Sequence, residues 1–184
     1  MRVISGSAKG RRLGSVPGDI TRPITDRVKE SLFNIIGPEV QNSTFLDMFA
    51  GTGSVGIEAL SRGAESALFI DVNRRAIKTV QSNLQLTQLA NRAMVIHGDA
   101  FTVLHEPAKD QFDYIYIAPP QYKGLWLQAL ENLDAHLDWL SPDGWVIVQI
   151  HPRELSALNL NHLTEFDRRA YGSTLLVFFY LEPD

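Results

Sequence analysis

The chain has 184 residues, 45% hydrophobic and 21% charged, which suits one globular domain with a core of its own. It has no cysteine, which excludes a disulfide framework and zinc–thiolate sites, and its five histidines lack HxxxH-type spacing, so no metal is expected. The opening MRVISGSAKG is too short and polar for a secretion signal, and the longest apolar run, Leu175 to Leu181, is far below the roughly 20 residues that span a bilayer, so a cytoplasmic protein with no membrane partner is expected.

The net charge of −4 is unevenly spread. Residues 1–29 carry Arg2, Lys9, Arg11, Arg12, Arg22, Arg27 and Lys29 against Asp19 and Asp26, a balance of +5 that leaves −9 for the remainder. A basic arm on an acidic body suits a phosphate backbone, although a solvated tail has the same composition. Gly6, Gly10, Gly14, Gly18 and Pro17 predict an irregular or hairpin-like segment. The expected division is a basic extension over 1–22 and a single domain over 23–184.

The spacing of Val28, Leu32, Ile35 and Ile36 predicts an amphipathic helix from Pro23 to Ile36, stopped by Gly37-Pro38. Phe45 to Gly63, FLDMFAGTGSVGIEALSRG, then reads as a strand, a glycine turn and a helix. Glycine lets a backbone take positive φ and approach a ligand, and the helix behind the turn aims unpaired N–H groups at it. Gly51-x-Gly53-x-x-Gly56 matches the dinucleotide fingerprint, a weak signal alone, since a tight turn without a ligand has the same pattern. The next apolar run, Ser66 to Ile70, ends in Asp71, 18 residues beyond Gly53. That is close to the spacing of about 20 at which an acid binds a ribose diol, and the alternative is a surface acid at a strand end.

A helix is predicted from Asn73 to Leu89 and a third strand over Met94 to Ile96, followed by His97-Gly98-Asp99-Ala100. Asp99 either meets an adenine amino group or caps the following helix. A fourth strand over Phe112 to Ile117 empties into Ala118-Pro119-Pro120-Gln121-Tyr122. Tyr122 to Leu140 reads as a helix, Ser141-Pro142-Asp143-Gly144 as a turn, and Trp145 to Ile150 as a fifth strand. Two further strands lie near 163–166 and 173–181. The expected fold is α/β: a Rossmann-like, doubly wound, mostly parallel seven-stranded sheet with helices on both faces. Such sheets bind ligands beyond the carboxyl ends of their strands, where Gly51, Gly53, Asp71, Asp99, Pro119 and Pro120 all fall.

These residues resemble the class I S-adenosylmethionine-dependent methyltransferases, and more narrowly the RsmD-type family, which methylates the exocyclic N2 of a guanine in bacterial 16S ribosomal RNA. The likeness runs over nearly the whole chain. It rests on residues 6–13 (GSAKGRRL), 22–34 (RPITDRVKESLFN), 46–53 (LDMFAGTG) and 58–64 (EALSRGA), the second being the more particular mark. The resemblance implies S-adenosyl-L-methionine as cofactor. By it, Asp47, Ala50, Gly51, Thr52 and Gly53 hold the methionine end, with Arg22 and Thr25 closing over it. Asp71 takes the ribose, Asp99 and Ala100 reach the adenine, and Val72 is among the cofactor-binding residues. The partner implied is 16S ribosomal RNA, alone or in a small-subunit assembly particle, gripped by Arg2, Lys9, Arg11, Arg12, Arg27 and Lys29.

The catalytic positions implied are Ala118, Pro119, Pro120, Gln121 and Tyr122, and here the chain departs from the family. Where the family has Asp-Pro-Pro-Tyr/Phe, the leading acid is replaced by Ala118 and the aromatic is displaced by one residue. A guanine N2 gains positive charge as it accepts a methyl group, and a carboxylate stabilises that charge; losing one such acceptor costs about 10²–10³ in rate. Three alternatives therefore stand beside the methyltransferase: a degenerate RNA-binding module, an enzyme for another planar amine, and an NAD-dependent oxidoreductase.

Overall fold

The computed structural model describes residues 1–18 and 24–182, and backbone contacts divide the chain into two compact units, Met1–Ala100 and Phe101–Asp184. In the first unit, α1 spans Asp26–Ile36. It starts later than the expected Pro23 because the Thr25 hydroxyl accepts the Val28 N–H and so caps the helix there; Pro23 itself lies outside the described residues. Val28, Leu32, Phe33 and Ile36 form its buried face, and Gly37, at φ +73°, ends it by donating to the Phe33 carbonyl.

Strand β1 (Thr44–Asp47) pairs in parallel with β2 (Ser66–Asp71), and β2 with β3 (Ala93–His97). Between β1 and β2 runs α2 (Ser54–Arg62), and between β2 and β3 runs α3 (Arg74–Thr87). Residues Ser54 to Ser61 are all buried, so α2 is enclosed on every side. Gly56 permits this: a Cβ there would lie 2.4 Å from the Phe69 ring of β2. Asn73 caps α3 by accepting the Arg75 N–H. Because both crossovers join parallel strands, the carboxyl ends Asp47, Asp71 and His97 point the same way.

The basic segment is not a free extension. Arg2 and Arg12 form an antiparallel bridge, and Val3, Ala8, Leu13 and Val16 are buried, so the hairpin-like expectation holds but the segment is part of the first unit's core. Gly6, at φ +83°, lies so close to the end of α2 that a Cβ would overlap the Ser61 carbonyl.

The second unit takes in most of the short α4 (Ala100–Leu104), which the sequence reading did not separate from its loop. There β4 (Phe112–Ile117) pairs in parallel with β5 (Leu140–Ile150). Beyond β5 the pairing becomes antiparallel, through β7 (Thr174–Leu181) to β6 (Leu163–Tyr171), which qualifies the mostly parallel expectation. The long helix expected from Tyr122 to Leu140 is shorter, α5 (Leu125–Ala135), because Tyr122 and Gly124 are left-handed and His136 leaves helical geometry. The expected turn at Ser141–Gly144 is an excursion inside β5, where the register jumps from Phe112↔Leu140 to Tyr114↔Trp145.

Candidate functional site

In the first unit the glycine turn and the strand-end acids come together. Gly51 and Gly53 have φ of +54° and +74°, values that β-carbon-bearing residues rarely take. The turn closes by Gly53 N–H donating to the Ala50 carbonyl at 2.7 Å, and Ala50 N–H donates to Ile70 of β2. Asp71 reaches across: its Oδ2 accepts the Gly51 N–H at 2.8 Å, while Oδ1 accepts the Asn73 N–H at 2.7 Å. Gly98 N–H donates to the Asp71 carbonyl, which brings the start of the Asp99–Ala100 segment to the same rim. Val72 is 71% exposed beside Asp71, Asp99 is exposed and Ala100 is buried.

Asp47 is the most unusual group. It is 1% exposed, its Oδ2 accepts the Gly56 N–H at 3.3 Å, and its Oδ1 is buried with no partner. Burial pushes its carboxyl up to about 7; the Gly56 N–H opposes this and the nearby Asp71 adds to it. A buried acceptor without a donor is costly, and a ligand ammonium is what such an atom lacks. Over Gly51 a Cβ would meet only one atom, at 4.0 Å, so the cradle above the turn is open. The set fits S-adenosylmethionine: Asp47 for an ammonium, Asp71 for a diol, the exposed Val72 for a planar apolar ring.

The remaining expected residues divide. Thr25 is exposed and uses its hydroxyl on α1, and Arg22 lies outside the described residues. Arg2, Lys9, Arg11, Arg12 and Arg27 are exposed. Arg2, Lys9 and Arg27 line a groove of about 460 Å³ with Asp26 and Glu30, and Arg2 pairs with Asp26. Lys29 must be corrected. It is fully buried, its Nζ 3.4 Å from the equally buried Glu58 and 2.7 Å from the Arg2 carbonyl, so it cannot meet a phosphate at the surface. Burial lowers its ammonium below the ordinary value, with Glu58 working the other way. Among the described residues no cluster of three or more His, Asp or Glu could hold a metal, and no helix is long and apolar enough to cross a membrane.

In the second unit Ala118 follows β4, Pro119 is buried, and Pro120 and Gln121 are exposed. Tyr122 stands at φ +61°, a strained value for an aromatic residue, with its side chain 65% exposed. A carboxylate that sequence reasoning missed holds it. Glu154, just past the end of β5, accepts the Tyr122 N–H at 2.7 Å through Oε1 and the His151 N–H at 3.0 Å through Oε2. The His151 ring lies 5.6 Å from the Tyr122 ring, tilted by 41°. Nothing in the local pattern around Glu154 announces this. Glu58 and Asn83, also missed, did leave a signal: each is a polar residue on the apolar face of its helix.

Two outcomes follow from this geometry. Because the Asp47 carboxyl titrates near 7 when folded and near 3.8 when unfolded, the unfolded chain releases its proton first as pH rises. Stability of the ligand-free protein should therefore fall between about pH 4 and pH 7 and level off above, and Asp47→Asn should remove this part of the slope in urea denaturation across pH. Replacing Glu154 by Ala frees the Tyr122 N–H; its amide exchange should accelerate by about tenfold or more, while exchange in the middle of α5 stays unchanged.

Comparison with known proteins bears on the family. The model of the family described as "Conserved hypothetical protein 95" matches residues 1–180. YlbH of Bacillus subtilis (strain 168), provisionally named an rRNA methyltransferase, is 48% identical over 177 residues, covering 95% of each chain. "Ribosomal RNA small subunit methyltransferase D" of Haemophilus influenzae is 35% identical over 151 residues, 81% of this chain and 78% of that one. Among solved structures, the provisionally named methyltransferase YhhF of Escherichia coli superposes with a TM-score of 0.86 at 29% identity, covering 99% of this chain and 98% of that one. With the glycine turn, its acids and the family match over residues 1–180, the chain belongs to the RsmD-type family of S-adenosylmethionine-dependent methyltransferases.

Proposed function

We propose that this protein methylates the exocyclic N2 amine of a guanine in small-subunit 16S ribosomal RNA, alone or within a small-subunit assembly particle. What carries the reading is that the family match takes in the basic hairpin as well as the glycine turn, in a family whose members include proteins named small-subunit rRNA methyltransferases.

When bound, S-adenosylmethionine supplies an electrophilic methyl carbon on a positively charged sulfur. The protein's part is to hold and orient. Asp47 meets an ammonium, Asp71 orients a ribose, and the glycine turn leaves room for close backbone approach; positioning of this kind contributes roughly 7–11 kcal/mol. At the acceptor, the carbonyls of Ala118 and Pro119 take the two amino hydrogens. They stabilise the charge that grows on N2, one of whose protons leaves to solvent. Tyr122 stacks on the target base, which leaves its own stack at a cost of a few kcal/mol and does so most easily from a single-stranded loop. Glu154 and His151 hold that ring in place. Exposed Arg2, Lys9, Arg11, Arg12 and Arg27 meet phosphates.

Ala118 keeps a second reading in view, an RNA-binding module without transfer, because a carbonyl dipole is a weaker acceptor than a carboxylate. Mass spectrometry of ribosomal nucleosides from cells with and without the protein separates the two: loss of one N2-methylguanine supports the enzyme, and an unchanged profile overturns it. With purified protein and unmethylated small subunits, Ala118→Asp should raise kcat by about 10²-fold, and no gain would mean another group already acts as acceptor. RNA affinity should fall steeply with salt, and neutralising Arg11 and Arg12 together should reduce the log–log slope by about 2; a salt-insensitive affinity would remove the hairpin from the contact.

A further inference from the structure

The basic hairpin and the glycine turn are joined by one side chain. Asn83 of α3 is 2% exposed, yet its amide uses three hydrogen-bonding positions. Oδ1 accepts the Gly14 N–H at 2.7 Å, and Nδ2 donates to the Gly14 carbonyl at 3.2 Å and to the Thr52 carbonyl at 2.9 Å. Gly14 lies between the buried Leu13 and Val16, and Thr52 sits between the two positive-φ glycines of the turn. The other end of the hairpin is tied to the same region. Lys29 Nζ bridges the Arg2 carbonyl and the Ser54 hydroxyl, directly behind the turn, and Thr52 Oγ1 lies 3.6 Å from Met1 Sδ.

We propose that Asn83 is a positioning residue that couples the two ligands of this enzyme: RNA on the hairpin and the sulfonium nucleoside in the turn each order the segment the other needs. This rests on the proposed function, in which the hairpin holds RNA. The physical basis is shared ordering cost. A ligand that fixes the turn fixes the Thr52 carbonyl, and with it the Asn83 amide and Gly14; the second ligand then finds its segment already ordered. Coupling of this kind is reciprocal, so each ligand must tighten the other by the same factor.

Asn83 is chosen over a water-bridged or apolar link because its planar amide both donates and accepts in one plane. Asp is isosteric but cannot donate to either carbonyl, and Ala removes all three bonds. Neither change replaces a residue assigned to cofactor, acceptor base or phosphate, although both remove the bond to the Thr52 carbonyl.

The experiment is a thermodynamic cycle with S-adenosylhomocysteine and in vitro transcribed 16S rRNA as probes. In the wild type each probe should tighten the other by a factor on the order of 5 to 150. In Asn83→Ala and Asn83→Asp each probe should still bind alone, while the factor falls to within about twofold of unity. A wild-type factor near unity with both probes bound, or a factor unchanged in both variants, overturns the coupling and leaves the enzyme reading intact. Failure of the wild type to bind both this RNA and unmethylated small subunits overturns both. Amide exchange on the wild-type protein guards against variants that do not fold and needs no RNA: S-adenosylhomocysteine alone should slow exchange across residues 1–14 as well as 50–56. Protection confined to 50–56 overturns the proposal.

Discussion

A single buried carboxylate anchors the first unit. Glu58 has no solvent exposure and gathers the Ile4 N–H at 2.8 Å, the Ser5 N–H at 3.0 Å, the Arg62 Nε at 2.8 Å and the Lys29 ammonium at 3.4 Å. A carboxylate taken out of water costs several kcal/mol, and only a nearly complete set of donors offsets that. Here the donors come from the hairpin, α1 and α2, so the three segments can settle only together. Removal of any one would strand charge in the interior, which is why the basic segment cannot be an independent arm. Arg62, held by Glu58, also lies 4.9 Å over the Phe33 ring of α1, adding a cation–π contact to the ion pair.

The same economy shapes the glycine turn. Its backbone is fixed from two directions, by Asp71 of β2 at Gly51 and by Asn83 of α3 at Thr52. These two ties bias the turn toward its bound geometry, and the open space above Gly51 and the orphaned Asp47 oxygen remain for a ligand that completes the ordering. Pre-organisation of this sort reduces the ordering cost that binding would otherwise carry. In the second unit the corresponding device is Glu154, which stabilises a left-handed Tyr122 that would otherwise relax.

Much of this was legible in the sequence because it depends on local rules. Short apolar runs ending in Asp47, Asp71 and Ile117 gave strands β1, β2 and β4, and glycines at 51 and 53 gave the turn. The meeting of Asp71 with Gly51 could be anticipated because parallel strands share one end. What was not legible depends on distant partners. Composition counted Lys29 among the surface cations, but Glu58, 29 residues on, draws it inside. The helix expected over 122–140 broke because the backbone is left-handed at Gly124 and at Tyr122, whose N–H is taken by Glu154, a partner 32 residues away that local periodicity does not show. The Ala118 departure from the family pattern was plain in the letters, while the carboxylate that steadies the same loop was not.

The hairpin's bonds also bear on how the chain assembles. Residues 3–14 bond locally, as in the Val3 N–H to the Arg11 carbonyl, but the ties that dock them are made to residues synthesised later, Glu58, Ser61 and finally Asn83, the last 69 residues away from Gly14. Until α2 and α3 have been synthesised, the hairpin has its local bonds and a cluster of cations but none of these long-range partners. During that interval its cations are held only by local bonds; Glu58 of α2 then withdraws Lys29 of α1, and docking of α3 fixes Gly14.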